Sequence, residues 1–189
     1  MKFALFLVLI FISGCSSEYI IQEETILKEN VEYRIGENLL LEGVNYRIDS
    51  VESYKEIGKN SVSAKTEGLF YVVYLTVENK GIVEGYTFSP GITLIGESGK
   101  RYSQDLRAPF YLDSVIKWNT DLLSGGVHKG VVVFEVPKFF GNSKLEIRND
   151  WEKVNKVFIP IPKSRVAFRE ASDAVVKARE NELLQAGIN

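Results

Sequence analysis

Residues 68–79 read GLFYVVYLTVEN, and residues 127–136 read VHKGVVVFEV. Both runs are dense in β-branched and aromatic residues, which lose little on a pleated surface and pack well there. In the first run apolar residues occupy successive positions, so both faces of the strand must be covered; that is the pattern of a central strand. Asn79-Lys80-Gly81 ends it with turn chemistry, and Pro137 ends the second run because proline cannot donate to a ladder.

Working outward, Val44, Tyr46 and Ile48 alternate with Asn45, Arg47 and Asp49, the period-two signature of a half-buried strand. Gly91–Gly96 (GITLIG) is a short strand, Glu97-Ser98-Gly99-Lys100 a hairpin turn with Gly99 at the positive-φ position, and Arg101-Tyr102 the return. Leu145 and Ile147 alternate with charged neighbours, and Val157–Ile161 forms a last strand beside Pro160 and Pro162. About seven strands separated by Gly, Pro and Asn, with no βαβ alternation, predict an all-β, immunoglobulin-like antiparallel β-sandwich over residues 39–162. A closed barrel is the alternative.

The ends of the chain differ from this body. Residues 163–189 are predicted as a C-terminal α-helix: Ser164–Ala186 lacks Pro and Gly, Ser164 suits an N-cap and Gly187 a C-cap. Phe168, Ala171, Val175 and Ala178 would form its thin apolar stripe. Such a helix packs back on the sandwich, or docks on a partner or a second copy. At the other end, Lys2 precedes ten uncharged residues, Phe3–Ile12, too short to span a bilayer and suited to a secretory signal. Ile12-Ser13-Gly14-Cys15 resembles the bacterial lipobox. The resemblance implies that residues 1–14 are a signal peptide, cleaved before Cys15, and that the Cys15 thiol carries a diacylglycerol. An ordinary signal peptide with Cys15 incidental is the alternative. Residues 15–38, polar and acidic with Glu18, Glu23, Glu24 and Glu29, read as a tether, or as carrying a first strand near Tyr19–Ile21.

Residues 39–148 resemble a family of immunoglobulin-like domains of unknown function found in secreted and lipid-anchored proteins of bacteria and archaea, related to an immunoprotective extracellular antigen of mycobacteria. The resemblance is carried by four segments: Ile48-Asp49-Ser50-Val51, Gly68–Gly81, Leu94 through Gly99 to Tyr102, and Val132–Pro137. It implies an exported sandwich and supplies no catalytic residues. The segment Leu106–Leu122 and the C-terminal helix depart from the family pattern.

Composition narrows the chemistry. The 189 residues carry 23 Lys+Arg against 25 Asp+Glu, a net charge of -2, which gives no electrostatic case for nucleic acid. One Cys and one His exclude a disulfide framework and a Cys- or His-rich metal cage. There is no nucleophile elbow, no phosphate-cradling glycine loop and no metal-ligand spacing, so no catalytic residue, metal site or cofactor is expected. Asp105, Asp113 and Asp121 share a loop region, but their spacing matches no calcium loop. His128 reads as an exposed strand-end residue. Phe110, Tyr111 and Trp118, within RAPFYLDSVIKWN (107–119), are either a loop binding site or a mini-core under a long loop. Phe139-Phe140 are expected to cover the open end of the sandwich. The functional expectation is a non-enzymatic module lipid-anchored to the cell or outer membrane, facing the extracytoplasmic side, that binds a protein or envelope polymer. The alternatives are an accessory subunit of a membrane complex acting through its C-terminal helix, and a polymer hydrolase, for which paired carboxylates in a cleft are wanting.

Overall fold

The computed structural model describes residues 33–41, 43–59, 62–81, 86–88, 91–113, 116, 120–148 and 156–185. Cys15, Trp118, Gly187 and the Tyr19–Ile21 segment lie outside them. Eleven strands and one α-helix are found among the described residues. The first sheet contains β1 (Leu39–Leu41), β2 (Val44–Lys59), β3 (Val62–Asn79), β8 (Val127–Val136) and β11 (Val166–Ala171). The second contains β5 (Gly91–Gly96), β6 (Arg101–Tyr102), β9 (Ser143–Arg148) and β10 (Lys156–Ile161). A small pair, β4 (Tyr86–Phe88) and β7 (Thr120–Leu122), stands apart, and α1 spans Asp173–Gln185.

The first sheet runs β1-β2-β3-β8, with β11 also on β2; the second runs β10-β9-β5-β6. All pairings are antiparallel except β11 on β2, which is parallel. The two sheets stay separate and pack face to face, so the sandwich prevails over the barrel. Their shared core joins Tyr46, Ile48, Tyr71, Val73, Leu75 and Phe134 of the first sheet to Ile92, Leu94, Leu145, Ile147 and Ile159 of the second. Pro160 sits in the edge strand β10, where its missing N–H costs least.

The double-sided apolar pattern of β3 has a direct cause. Leu69, Tyr71, Val73, Leu75 and Val77 face the inter-sheet core. Phe70 and Val72 face outward into a second cluster with Tyr54, Ile57, Val131 and Val133, roofed by Ala108 and Leu112 of the 106–122 segment. A 3-10 turn at Ala108–Tyr111 shapes that roof. Asp105 anchors it by accepting from the backbone N–H groups of Arg107 (2.8 Å) and Ala108 (3.0 Å). On the inner face, Gly130 of β8, paired with Leu75, lets the same segment come close: a Cβ there would stand 2.4 Å from the nitrogen of Ile116, whose side chain joins the inter-sheet core.

At the far end of β3, Asn79 is fully buried. Its side-chain amide donates to the Leu122 carbonyl at 2.8 Å, and its side-chain oxygen accepts from the Gly81 N–H at 2.9 Å. Gly81 has φ 85°, as the turn requires, and Gly99 of the β5–β6 hairpin has φ 80°.

The C-terminal region corrects the expectation of a single helix over 163–189. Lys163–Arg165 is a 3-10 turn, Val166–Ala171 a strand, and the helix begins at Asp173. Ser164 therefore caps no α-helix. VAFREA contains good helix formers, but Val166–Ala171 finds the open edge of β2 and pairs Val166 with Val51 through to Ala171 with Glu56. Tertiary pairing overrides local propensity, and the first sheet thus extends past residue 162. Phe168 and Ala171 fall on this strand; Val175 is the buried helix residue. Its seat is Gly58, where a Cβ would stand 2.4 Å from Val175 Cγ2. Ser172 fixes the strand-to-helix junction, its Oγ accepting from the Gly58 N–H at 3.0 Å while its N–H donates to the Glu56 carbonyl at 3.0 Å. At the other boundary, Tyr33 and Ile35 pack on the main core, so the last residues of the expected tether belong to the folded body.

Candidate functional site

The strands of the two sheets differ in length. β3 has 18 residues and β5 and β9 have 6 each, contour lengths of about 60 Å and about 20 Å at about 3.3 Å per residue. The distal parts of β2 and β3 therefore overhang the sandwich, and among the described residues no sheet covers their inner face. It floors a trough of about 860 Å³. Ser53, Lys55, Leu69 and Tyr71 form the floor; Phe168 and Glu170 of β11 make one wall; the Lys138-Phe139-Phe140 turn makes the other. The register of β2 shifts between Tyr54 and Glu56, and this irregularity brings the consecutive residues Lys55 and Glu56 to the same trough.

Phe139 and Phe140 separate at this wall. Phe140 is buried and closes the sandwich end, edge-on to Tyr71 and Tyr102 with ring centroids 5.3 Å away in each case. Phe139 does not cover that end: it is 89% exposed. Phe140 occupies the space beside Gly96, where a Cβ would meet its ring at 3.1 Å. Phe168, 55% exposed, presents a second aromatic surface to the trough.

Glu56 organises the charge. It is 7% exposed, accepts from Ser63 Oγ at 2.7 Å, and pairs with Arg179 of α1 and, at 3.7 Å, with Lys65. Burial works against its charge, but the Ser63 hydrogen bond and the Arg179 and Lys65 cations more than offset it and hold the carboxyl below its ordinary value. Lys55 Nζ is tied down by the carbonyls of Glu67 (2.9 Å) and Gly68 (2.6 Å). Lys138 and Lys163 make no ion pair among the described residues. Five cations thus line the trough (Lys55, Lys65, Lys138, Lys163, Arg179) against three carboxylates (Glu56, Glu67, Glu170). At the floor, burial pushes the Tyr71 phenol up to about 12, the Ser143 hydroxyl acting the other way.

A smaller cavity of about 410 Å³ lies on the outer face of the first sheet. There Glu52 accepts from the phenols of Tyr54 and, at 3.2 Å, Tyr74, and lies 3.6 Å from Arg169. Burial first, then the bond to Glu52, raises the Tyr54 phenol. On the outer face of the second sheet, Arg101 grips the buried Glu146 carboxylate through two bonds of 2.6 and 3.2 Å, with Arg148 at 3.1 Å. These cations outweigh the burial of Glu146 and lower its carboxyl. Such pairs serve structure: each carboxylate is already occupied by donors.

The sequence-derived residues are dispersed. Phe110 is 72% exposed, whereas Tyr111 is half-buried against the outer cluster, so this pair does not form one surface. Asp105 caps the 3-10 turn and Asp113 faces Lys59 at 3.3 Å. No group of three His, Cys, Asp or Glu suited to a metal ion occurs among the described residues. His128 lies in β8 opposite Val77, half-buried rather than exposed. Among the trough residues, the sequence singled out Phe139 and Phe140, as cover for the sandwich end, and Phe168, on the wrong element. The alternation of Val166, Phe168 and Glu170 is the signal that marks their common face.

Comparison with curated proteins returned no match. The yjhA protein from Bacillus subtilis is similar in structure, with a TM-score of 0.52 at 15% identity over 68% of this chain and 98% of that one. An uncharacterized beta-sandwich protein from Clostridium difficile 630 has a TM-score of 0.46 at 10% identity, over 71% of this chain and 97% of that one. Residues 33–156 match the domain of unknown function DUF4352, a span that ends at the first residue of β10. With most of its sandwich inside that match, the chain belongs to the DUF4352 family.

Proposed function

We propose that this chain is a non-catalytic binding module, lipid-anchored at Cys15 on the extracytoplasmic side of the cell envelope, that holds a protein or envelope polymer in the trough. One observation carries the reading: an overhanging sheet face walled by the exposed rings of Phe139 and Phe168 and rimmed by Lys138 and Lys163. Exposed aromatics bring large contact area at low entropic cost, and uncompensated lysines select anionic groups. The Phe3–Cys15 leader supports export and anchoring, because two or three acyl chains contribute about 0.8 kcal/mol per buried CH₂. The resemblance to domains of secreted and lipid-anchored proteins points the same way. The test compares the native domain with a Phe139→Ser/Phe168→Ser variant on envelope extract, alongside mass spectrometry of the N-terminus from the native host. Retention that the variant loses, with a lipidated Cys15, bears out the proposal. Equal retention by both, or an unmodified full-length chain, refutes it.

A second reading, an accessory subunit docking through α1, is favoured by Val176, Leu183 and Leu184, all exposed on that helix. Leu183→Ser/Leu184→Ser leaving mass and partners unchanged in light scattering would sink it.

A further inference from the structure

We propose that the free edge of β11 takes up an extended acidic peptide as an additional strand, its alternate side chains lying over the trough. This rests on the trough being the ligand site and adds the mode of recognition and the ligand's chemistry.

The edge of β2 opposite β3 is tiled by two segments. Residues 36–41 occupy its start, through β1 and the Gly36 N–H to Ile48 carbonyl bond of 2.8 Å; β11 takes Val51 to Glu56. Among the described residues, β11 pairs with no other strand. It is six residues long, contains no proline, and from Val166 to Glu170 is exposed or half-exposed. A strand of this kind presents outward-facing N–H and C=O groups, the template that strand addition uses.

Side-chain alternation then sets what a new strand would meet. Val166, Phe168 and Glu170 line the trough. Arg169 points to the opposite face and is engaged there by Glu52 and Asp173, each at 3.6 Å. Every second residue of an added strand therefore projects on the trough side, beside the Phe168 ring and toward Lys163 and Lys138. Lys65 and Arg179 share the single carboxylate of Glu56, and with Glu67 and Glu170 counted the five trough cations still outnumber three carboxylates. The local excess of cations sits on a chain whose overall charge is -2, so acidic side chains are selected at this place and not by the molecule at large.

The probe is a blocked peptide of alternating glutamate and valine, added to the isotopically labelled domain. Three companions accompany it: the same peptide N-methylated on the pairing edge, one with lysine for glutamate, and phosphatidylglycerol vesicles. The glutamate peptide is expected to shift and protect from exchange the amides of Val166–Ala171. N-methylation, lysine replacement, and the variant Lys163→Glu should each weaken binding by about tenfold or more. Phe139→Ser, which leaves the edge intact, should weaken it less. Equal binding of the methylated and unmethylated peptides overturns strand addition while leaving the trough as a ligand site. Shifts at β11 produced by the vesicles and not the peptide, or by no probe at all, overturn the proposal as well.

Discussion

Replacing Glu56 by Gln tests how the C-terminal segment is held. The side chain keeps its shape and its Oε1 can still accept from Ser63, so that bond, worth about 1 kcal/mol net, survives. What disappears is the charge facing Arg179 and Lys65, whose side chains are about half and two-thirds exposed. Exposed pairs contribute about 0.2–1 kcal/mol each, and this carboxylate is more buried than its partners, so the loss comes to about 1 kcal/mol. It should be local. Arg179 belongs to α1, and the helix buries only Val175 among its own residues, so its opening is governed by few contacts. Amide exchange in residues 173–185 is expected to speed up about fivefold, with β2, β3 and β8 unchanged. The pH dependence gives a second check. Glu56 has a folded pKa below its ordinary value, so its contribution is present above the unfolded pKa and is lost as pH falls through the folded one. The wild type and the Gln variant should therefore differ at neutral pH and converge in acid. Unchanged helix exchange, or a difference that persists after Glu56 is protonated, would refute the clamp.

Other perturbations address the sandwich and the trough separately. Asn79→Leu removes the bonds to the Leu122 carbonyl and the Gly81 N–H at a fully buried position, and denaturant unfolding should show a loss of about 1–3 kcal/mol or more. Gly130→Ala drives a methyl into the Ile116 backbone at the inter-sheet core; denaturant unfolding should show a loss of about 1–3 kcal/mol. Phe139→Ser, at an exposed ring, should leave stability within about 0.5 kcal/mol of wild type while weakening trough binding in titration; a large stability loss would show that the ring packs.

Most strands were legible because a strand's signal is local. The alternation Val44–Asp49, the run Gly68–Asn79 and the hairpin at Glu97–Lys100 each state their pattern in consecutive residues. The failure at Val166–Ala171 has the complementary reason. Ala, Arg and Glu favour a helix in isolation, and only the unpaired edge of β2, more than a hundred residues earlier, turns the segment into a strand. Phe139 and Phe140 illustrate the same limit, since two identical neighbours acquired opposite surroundings: Phe140 packs beside Gly96, Tyr71 and Tyr102, and Phe139 faces solvent.

By itself the sequence determined that this chain forms an antiparallel β body, because the apolar period and the turn residues define its strands; that the strands form two separate sheets and not a closed barrel was decided by the assembled pairing. Only the tertiary structure decided where a ligand site can lie. The trough exists because β2 and β3 outrun the opposite sheet, and its walls come from β11 and from the turn after β8, brought together by strand pairing across the chain. Relative strand lengths and the choice of edge partner are properties of the assembled sheets, and no single stretch of residues encodes them.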